Sequence, residues 1–226
     1  PTKVDTAKSP RVYFQVTKPR IITRTEWEAN PPQFGYSNMP YYNKLTLHHS
    51  VGFSADNLEE GIIQMQAIQL FHQEVRGWSD IGYHFVIDKA GNIYQGRPET
   101  VIGAHTSGAN TGNIGTCVLG CYHPPASANY YCYDELSTSS NDSLIKLMAW
   151  VSDSYNVDPN ILLGHRDYYD YEYTTCPGDN LWSLLPGLRT EISSYRDYGP
   201  TPMSYRLYQN FPNPFNDLTE IKFDVS

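Results

Sequence analysis

Between Lys44 and Ser50 apolar and polar side chains alternate, with Leu45 and Leu47 on one face and Thr46, His48 and Ser50 on the other. A period of two predicts a half-buried strand, and it turns the neighbours His48 and His49 to opposite sides. From Asp56 the period lengthens. Leu58, Ile62, Met65, Ile68, Phe71 and Val75 recur every three or four residues, which predicts an amphipathic helix capped by Asp56 and ended by Gly77. Tyr83 to Asp88 reads as a strand, Lys89-Ala90-Gly91-Asn92 as a turn, and Ile93 to Gln95 as the hairpin partner. The apolar run from Ile114 to Gly120 predicts a buried strand. A second helix is expected from about Asn141 to Tyr155, with Leu144, Leu147, Met148, Val151 and Tyr155 on one stripe and a stop before Asp158-Pro159. Ile161 to Leu163 reads as a short strand, and a last helix starting near Pro186 buries Leu188, Ile192 and Tyr195. Strands interleaved with helices on this scale predict a mixed α/β domain over residues 21–197.

The two ends break the pattern. Residues 1–20 show no sustained period and are punctuated by Pro10 and Pro19, so they read as a leader or linker. Residues 1–24 also carry six basic side chains (Lys3, Lys8, Arg11, Lys18, Arg20, Arg24) against Asp5 alone, the charge of a solvated arm. Beyond Tyr198, residues 198–204 with Gly199-Pro200-Thr201-Pro202 read as a linker, and residues 205–226 begin a further segment too short to bury a core.

Composition narrows the class. The chain has 226 residues, enough for one sizeable domain with arms, and 40% hydrophobic against 18% charged residues excludes a disordered chain or a coiled coil. No apolar run approaches the roughly 18 to 20 residues that cross a bilayer, and PTKVDTAKSP lacks the apolar core of a signal peptide. A net charge of −8 argues against nucleic acid as a partner, because neutralising phosphates takes a basic surface. Nineteen tyrosines and seven lysines suit a secreted protein better than a cytosolic one. Four cysteines permit two disulfides in three connectivities.

Three residues stand out chemically among the seven histidines and four cysteines. His48 lies on the polar face of its strand, free to point into a cleft. His165 ends the run Ile161-Leu162-Leu163-Gly164, a strand end that offers a rigid platform. Cys176 precedes Pro177-Gly178, so a turn holds its sulfur. Two imidazoles and a thiolate make a zinc site with its fourth tetrahedral position left for water, the arrangement of catalytic zinc; no HExxH signature is present.

These residues sit inside longer blocks. Leu47-His48-His49-Ser50, Asp80-Ile81-Gly82-Tyr83-His84-Phe85, Gly103-Ala104-His105-Thr106, and Leu163-Gly164-His165-Arg166-Asp167 with Thr174-Thr175-Cys176-Pro177-Gly178 follow one another in that order. Together they resemble the zinc amidases of the peptidoglycan recognition protein family, which includes the phage lysozymes that are amidases. The resemblance implies a mixed central β-sheet flanked by helices, with zinc in a surface groove held by His48, His165 and Cys176. It further implies Tyr83 and Thr174 as catalytic residues, and His72, Trp78, Arg97, His105, Thr106, Asn110 and Asn113 as substrate-binding groove residues. The implied substrate is peptidoglycan or its muropeptides, cut at the amide between the lactyl group of N-acetylmuramic acid and L-Ala of the stem peptide. A monomer is expected. With Cys176 on zinc, Cys121 and Cys132, which bracket a short loop, are left to form a disulfide, and Cys117 remains a free apolar thiol.

The chain departs from the family pattern twice. Gly96-Arg97-Pro98-Glu99-Thr100 stands where members often carry GRGWN, so the pair that helps choose between diaminopimelate and lysine stem peptides is replaced by Pro98-Glu99. Three extra residues separate His165 from Cys176, in the tyrosine-rich stretch from Tyr168 to Tyr173, a length that costs little closure entropy. Further on, Tyr205 to Asn216, with its QNFPNPFN core, resembles the opening of the C-terminal sorting domain of bacterial type IX secretion. That implies a bacterial protein that continues beyond this point and is exported to the surface or the medium. Two other readings compete with the enzyme: a peptidoglycan receptor without activity, which typically lacks a zinc ligand, and a metal-free secreted domain, which requires Cys176 in a disulfide.

Overall fold

The alternating stretch forms β1 (Lys44–His49) of a five-stranded sheet in the computed structural model, which describes residues 15–124, 132–169, 173–200, 205–207 and 223–225. The other strands are β2 (Phe85–Ile87), β3 (Ile93–Gln95), β4 (Asn113–Val118) and β5 (Leu162–Gly164), in the order β3-β2-β4-β1-β5. β1 is parallel to β4 and β5, β2 is parallel to β4, and the β2–β3 hairpin is antiparallel. The sheet is therefore mixed. The register sets His48 opposite Cys117 and Leu47 opposite Gly164, so His48 and His165 leave the same ends of adjacent strands.

Each face of the sheet buries a separate apolar layer. On one side Leu45, Leu47, Phe85, Ile87, Ile114 and Val118 pack against the stripes of α2 (Thr138–Tyr155) and α4 (Leu185–Tyr198). On the other, Val86 and Cys117 meet Met65 and Ile68 of α1 (Leu58–Leu70), with Trp27, Ile81 and Tyr94 completing the layer. Side chains such as these, fully withdrawn from water, each contribute roughly 1.5 to 3 kcal/mol. Among the described residues, Val16 already packs into the core, ahead of the change of pattern at Ile21.

The helices depart from their predicted outlines for local reasons. Asn57, not Asp56, caps α1: its side chain accepts from the Glu60 N–H at 3.0 Å, while the Glu60 carboxylate accepts from the Asp56 N–H at 2.8 Å. The two bonds tie the Asn57 cap and the residue before it to Glu60 and set the first turn. Leu58 and Val75 of the predicted stripe are exposed, because the buried stripe runs instead through Gly61, Met65, Ile68 and Gln69. Gly61 leads it since a Cβ there would fall 1.9 Å from the Tyr94 hydroxyl. A wider π turn over Phe71–Val75 extends α1, and Gly77 follows at φ +66°. α2 starts ahead of Asn141 because Ser137 accepts from the Ser140 N–H at 3.0 Å, and the polar residues between carry no apolar period. The four-residue α3 (Asp179–Trp182) is too short to show a period at all.

No helix among the described residues is long and apolar enough to cross a membrane. Beyond the α/β domain, β6 (Tyr205–Leu207) and β7 (Phe223–Val225) pair antiparallel. Residues 1–14 of the expected leader, residues 201–204 of the expected linker and most of the expected sorting segment lie outside the described residues. So do residues 125–131 of the Cys121 to Cys132 loop and residues 170–172 of the tyrosine-rich stretch.

Candidate metal centre and active-site cleft

Adjacent parallel strands bring the three candidate ligands together. His48 leaves β1 on the α1 side, and its Nδ1 lies 3.6 Å from Cys176 Sγ. One ligand atom from each of His48, His165 and Cys176 falls within 4.8 Å of the other two. His165 opens a short 3-10 turn fixed by the Gly164 N–H, which donates to the Asp167 carboxylate at 2.8 Å. Cys176 is tied to the same turn, since its carbonyl accepts from the Arg166 N–H at 2.8 Å. Its own N–H donates to Thr174 Oγ1 at 3.2 Å, and its sulfur receives the His49 N–H at 3.4 Å. Gly164 makes this close approach feasible: a Cβ there would meet Pro177 Cδ at 2.7 Å and Trp182 Cδ1 at 2.9 Å.

The donor set fits zinc. With Zn–N near ~2.1 Å and Zn–S near ~2.3 Å, a tetrahedral angle puts nitrogen and sulfur about 3.6 Å apart, the spacing of His48 and Cys176. Burial, reinforced by the neighbouring His105 and His165, holds the His48 imidazole well below its ordinary 6.5, and burial takes His165 down to about 4. Both rings are therefore neutral at pH 7 and keep a lone pair to give. Burial pushes the Cys176 thiol up to about 12 against the opposing pull of the His49 N–H and Arg166. Such a thiol ionises at neutral pH when a cation takes the place of its proton.

The donors line a cleft of about 680 Å³ together with Tyr83, His72, Trp78, His105 and Thr174. The Tyr83 ring sits 5.2 Å from the His48 ring and edge-on to His72 at 5.7 Å. Burial, then the Cys117 and Cys176 sulfurs, raise the Tyr83 hydroxyl well above 10, so it keeps its proton and acts as a donor. His72 stacks on Trp78 at 4.6 Å, and its Nδ1 accepts from the Gly82 N–H at 3.1 Å. Arg76 is the one charged side chain lining the cleft among the described residues.

Four of the expected groove residues belong to the framework behind the cleft. The Arg97 guanidinium donates to the carbonyls of Ile81 at 2.7 Å and Ile102 at 3.1 Å, and it borders a neighbouring hollow with Tyr36 and Trp78. Asn110 accepts from the backbone N–H groups of His105 at 2.9 Å and Thr106 at 2.8 Å. Asn113 donates to the Ala109 carbonyl at 2.9 Å and accepts from the Thr46 hydroxyl at 2.8 Å. Thr106 is fully buried, with its hydroxyl 2.9 Å from His105 Nδ1. Buried polar groups take internal partners, and each of these four side chains is held by at least one. Conversely, Phe53, Phe71, Arg76 and Tyr173 line the cleft without having been expected there from the sequence. Val51, also in the lining, stands at φ +61°, a conformation that its β-branched side chain gives no sign of.

Cys121 and Cys132 are joined by a disulfide, and Cys117 and Cys176 are free and buried. Cys176 is thus available to a metal and absent from the bridge that the metal-free reading requires. The residue after Cys121, Tyr122, donates its N–H to His49 Nδ1 at 3.2 Å and accepts the Asn180 N–H at 2.9 Å, which packs the bridged segment against the Cys176 turn.

The profile of the N-acetylmuramoyl-L-alanine amidase family, Amidase_2, matches residues 38–179. Peptidoglycan-recognition protein SC2 of Drosophila melanogaster is 32% identical over 169 residues, covering 73% of this chain and 84% of that protein. Among solved structures, the endolysin N-acetylmuramoyl-L-alanine amidase LysCS from Clostridium intestinale superposes with a TM-score of 0.61 at 28% identity, over 76% of this chain and 97% of that one. Peptidoglycan recognition protein-LE, solved with tracheal cytotoxin, a monomeric diaminopimelic acid-type peptidoglycan, gives a TM-score of 0.65 at 25% identity over 74% and 92%. The matched span contains His48, Tyr83, His165, Thr174 and Cys176, and the chain belongs to the N-acetylmuramoyl-L-alanine amidase family.

Proposed function

We propose that the protein is an exported, zinc-dependent amidase that hydrolyses the bond between N-acetylmuramic acid and L-Ala in peptidoglycan. The observation that carries this reading is the intact His48, His165 and Cys176 donor set on the floor of a cleft that also holds Tyr83. A zinc ion held there supplies Lewis acidity, polarising the scissile carbonyl and lowering the pKa of water.

The chain's own groups do the rest. Tyr83, held protonated, donates a hydrogen bond to the carbonyl oxygen as negative charge develops on it, an effect worth roughly 2.7 to 4 kcal/mol for one donor. The Thr174 oxygen is fixed by the Cys176 N–H, which leaves its hydroxyl proton free to donate into the cleft. Arg76 offers a positive charge at the cleft wall to the carboxylates of a stem peptide. Export through the type IX pathway is supported by the QNFPNPFN segment at residues 209–216. A receptor without activity is a second role open to a protein of this fold, and the complete donor set together with Tyr83 favours the enzyme.

The test is incubation of the zinc-loaded protein with purified peptidoglycan, followed by mass spectrometry of the soluble fraction. Stem peptides bearing a free L-Ala amino terminus are expected. Binding to the polymer without release of such peptides would assign the receptor role instead.

A further inference from the structure

We infer that His105 is a positioning residue: it fixes the tautomer of His48 so that the Nδ1 lone pair, and not an N–H, faces Cys176. This extends the metal-site reading above and concerns the chain before any metal arrives.

The ring of His105 lies in a slot that two glycines keep open. A Cβ on Gly103 would come 2.5 Å from His105 Cδ2, and one on Gly115 would come 2.5 Å from His105 Cγ. The backbone around it is held by Asn110, whose side-chain oxygen accepts from the His105 and Thr106 N–H groups. At 7% exposure the ring has little freedom and almost no contact with solvent.

Hydrogen-bond polarity then propagates through the ring. His105 Nε2 lies 3.3 Å from the Asn113 carbonyl oxygen, and a carbonyl can only accept, so Nε2 carries the proton. A neutral imidazole has one N–H, which leaves Nδ1 of His105 as an acceptor. Facing that acceptor are Thr106 Oγ1 at 2.9 Å and His48 Nε2 at 3.0 Å. Two lone pairs at 3.0 Å repel, so His48 Nε2 must be the protonated nitrogen. Its other nitrogen, Nδ1, is therefore bare, and Nδ1 is the atom 3.6 Å from Cys176 Sγ. The chain from the Asn113 carbonyl through His105 to His48 aims a lone pair at the site. Partners of this kind orient ligating histidines in metal proteins and typically govern metal affinity 10 to 100-fold. With both nitrogens engaged, His105 has none left for substrate.

Long-range proton–nitrogen NMR on the histidine-labelled, metal-free protein at pH 7 reads the tautomer directly. The expected result is a protonated Nε2 and a bare Nδ1 on His48; a protonated Nδ1 in the wild-type protein overturns the proposal without recourse to any variant. The second arm compares His105→Leu, which fills the slot but accepts nothing, with His105→Asn, whose amide oxygen can replace the Nδ1 acceptor. The Leu variant should show a mixed His48 tautomer and a zinc affinity, by chelator competition, weaker by about 10 to 100-fold. The Asn variant should recover most of both. Equal losses in the two variants would mean that His105 matters only for packing. If no protein binds zinc but the tautomer is as described, the metal reading fails and the positioning of His48 stands.

Discussion

Nδ1 of His48 and Sγ of Cys176 stand 3.6 Å apart although 128 residues separate them in the chain. One atom comes from the second-to-edge strand of the sheet, the other from a turn tied by backbone hydrogen bonds to the segment that follows the edge strand. The pairing is thus a product of sheet order. Replacing Cys176 by Ser keeps the side-chain size and exchanges a soft thiolate for a poor zinc ligand. Zinc content of the Ser variant should fall well below that of the wild type, with the thermal unfolding of the metal-free proteins little changed and peptidoglycan-fragment binding kept. Full zinc occupancy in the variant would remove Cys176 from the ligand set.

Tyr83→Phe deletes one hydroxyl and leaves the ring against His48 and His72. Zinc content and unfolding temperature should persist while turnover falls by about one to three orders of magnitude, the loss expected for a single oxyanion donor. Steady-state hydrolysis of a muramoyl-peptide by the two proteins measures this, and an unchanged kcat would deny the hydroxyl its role.

Gly164→Ala tests how the Cys176 turn is seated. The new Cβ would lie 2.7 Å from Pro177 Cδ, in a contact bounded by the β5 backbone on one side and Trp182 on the other. Overpacking of this kind costs about 1 to 3 kcal/mol, and relief by moving the turn would carry Cys176 away from His48. Urea denaturation should show lower stability, and chelator competition should show weaker zinc binding. If both match the wild type, the turn is not seated against Gly164 as described.

Much of this architecture was legible in the sequence because it follows from period. The alternation at Leu45, Thr46, Leu47 and His48 placed His48 on the cleft side, and the α2 stripe from Leu144 to Val151 is the buried face. What period cannot carry was missed. The cap at Asn57 depends on a side-chain bond from the Glu60 N–H, a kind of bond that Asp56 could equally have accepted on sequence grounds, and the buried stripe of α1 turns on Gly61, whose value is the space it leaves for Tyr94. The family resemblance implied His105, Thr106, Asn110 and Asn113 as groove residues but not which way their polar atoms point. The structure turns Asn110 and Asn113 to backbone groups, and it sets His105 between the Asn113 carbonyl and His48.

Stability should depend on pH in a defined window. Burial takes His49, His72 and His84 each from an ordinary 6.5 down to about 4. Between those values the unfolded chain binds protons that the folded one does not, so stability falls as pH drops from about 6.5 towards 4. Above 6.5 these groups are neutral in both states and add no slope. Urea midpoints of the metal-free protein should be higher at pH 7 than at pH 5, and a flat profile across that range would contradict the burial assigned to these rings.

The most direct test of the central claim is the release of stem peptides from purified peptidoglycan, followed through zinc removal and return. The account predicts soluble peptides with a free L-Ala amino terminus from the zinc-loaded protein, none after chelation, and recovery when zinc is restored at about one ion per chain. Release that continues undiminished in the chelated, zinc-free protein, or no release at any zinc level despite binding to the polymer, would contradict it.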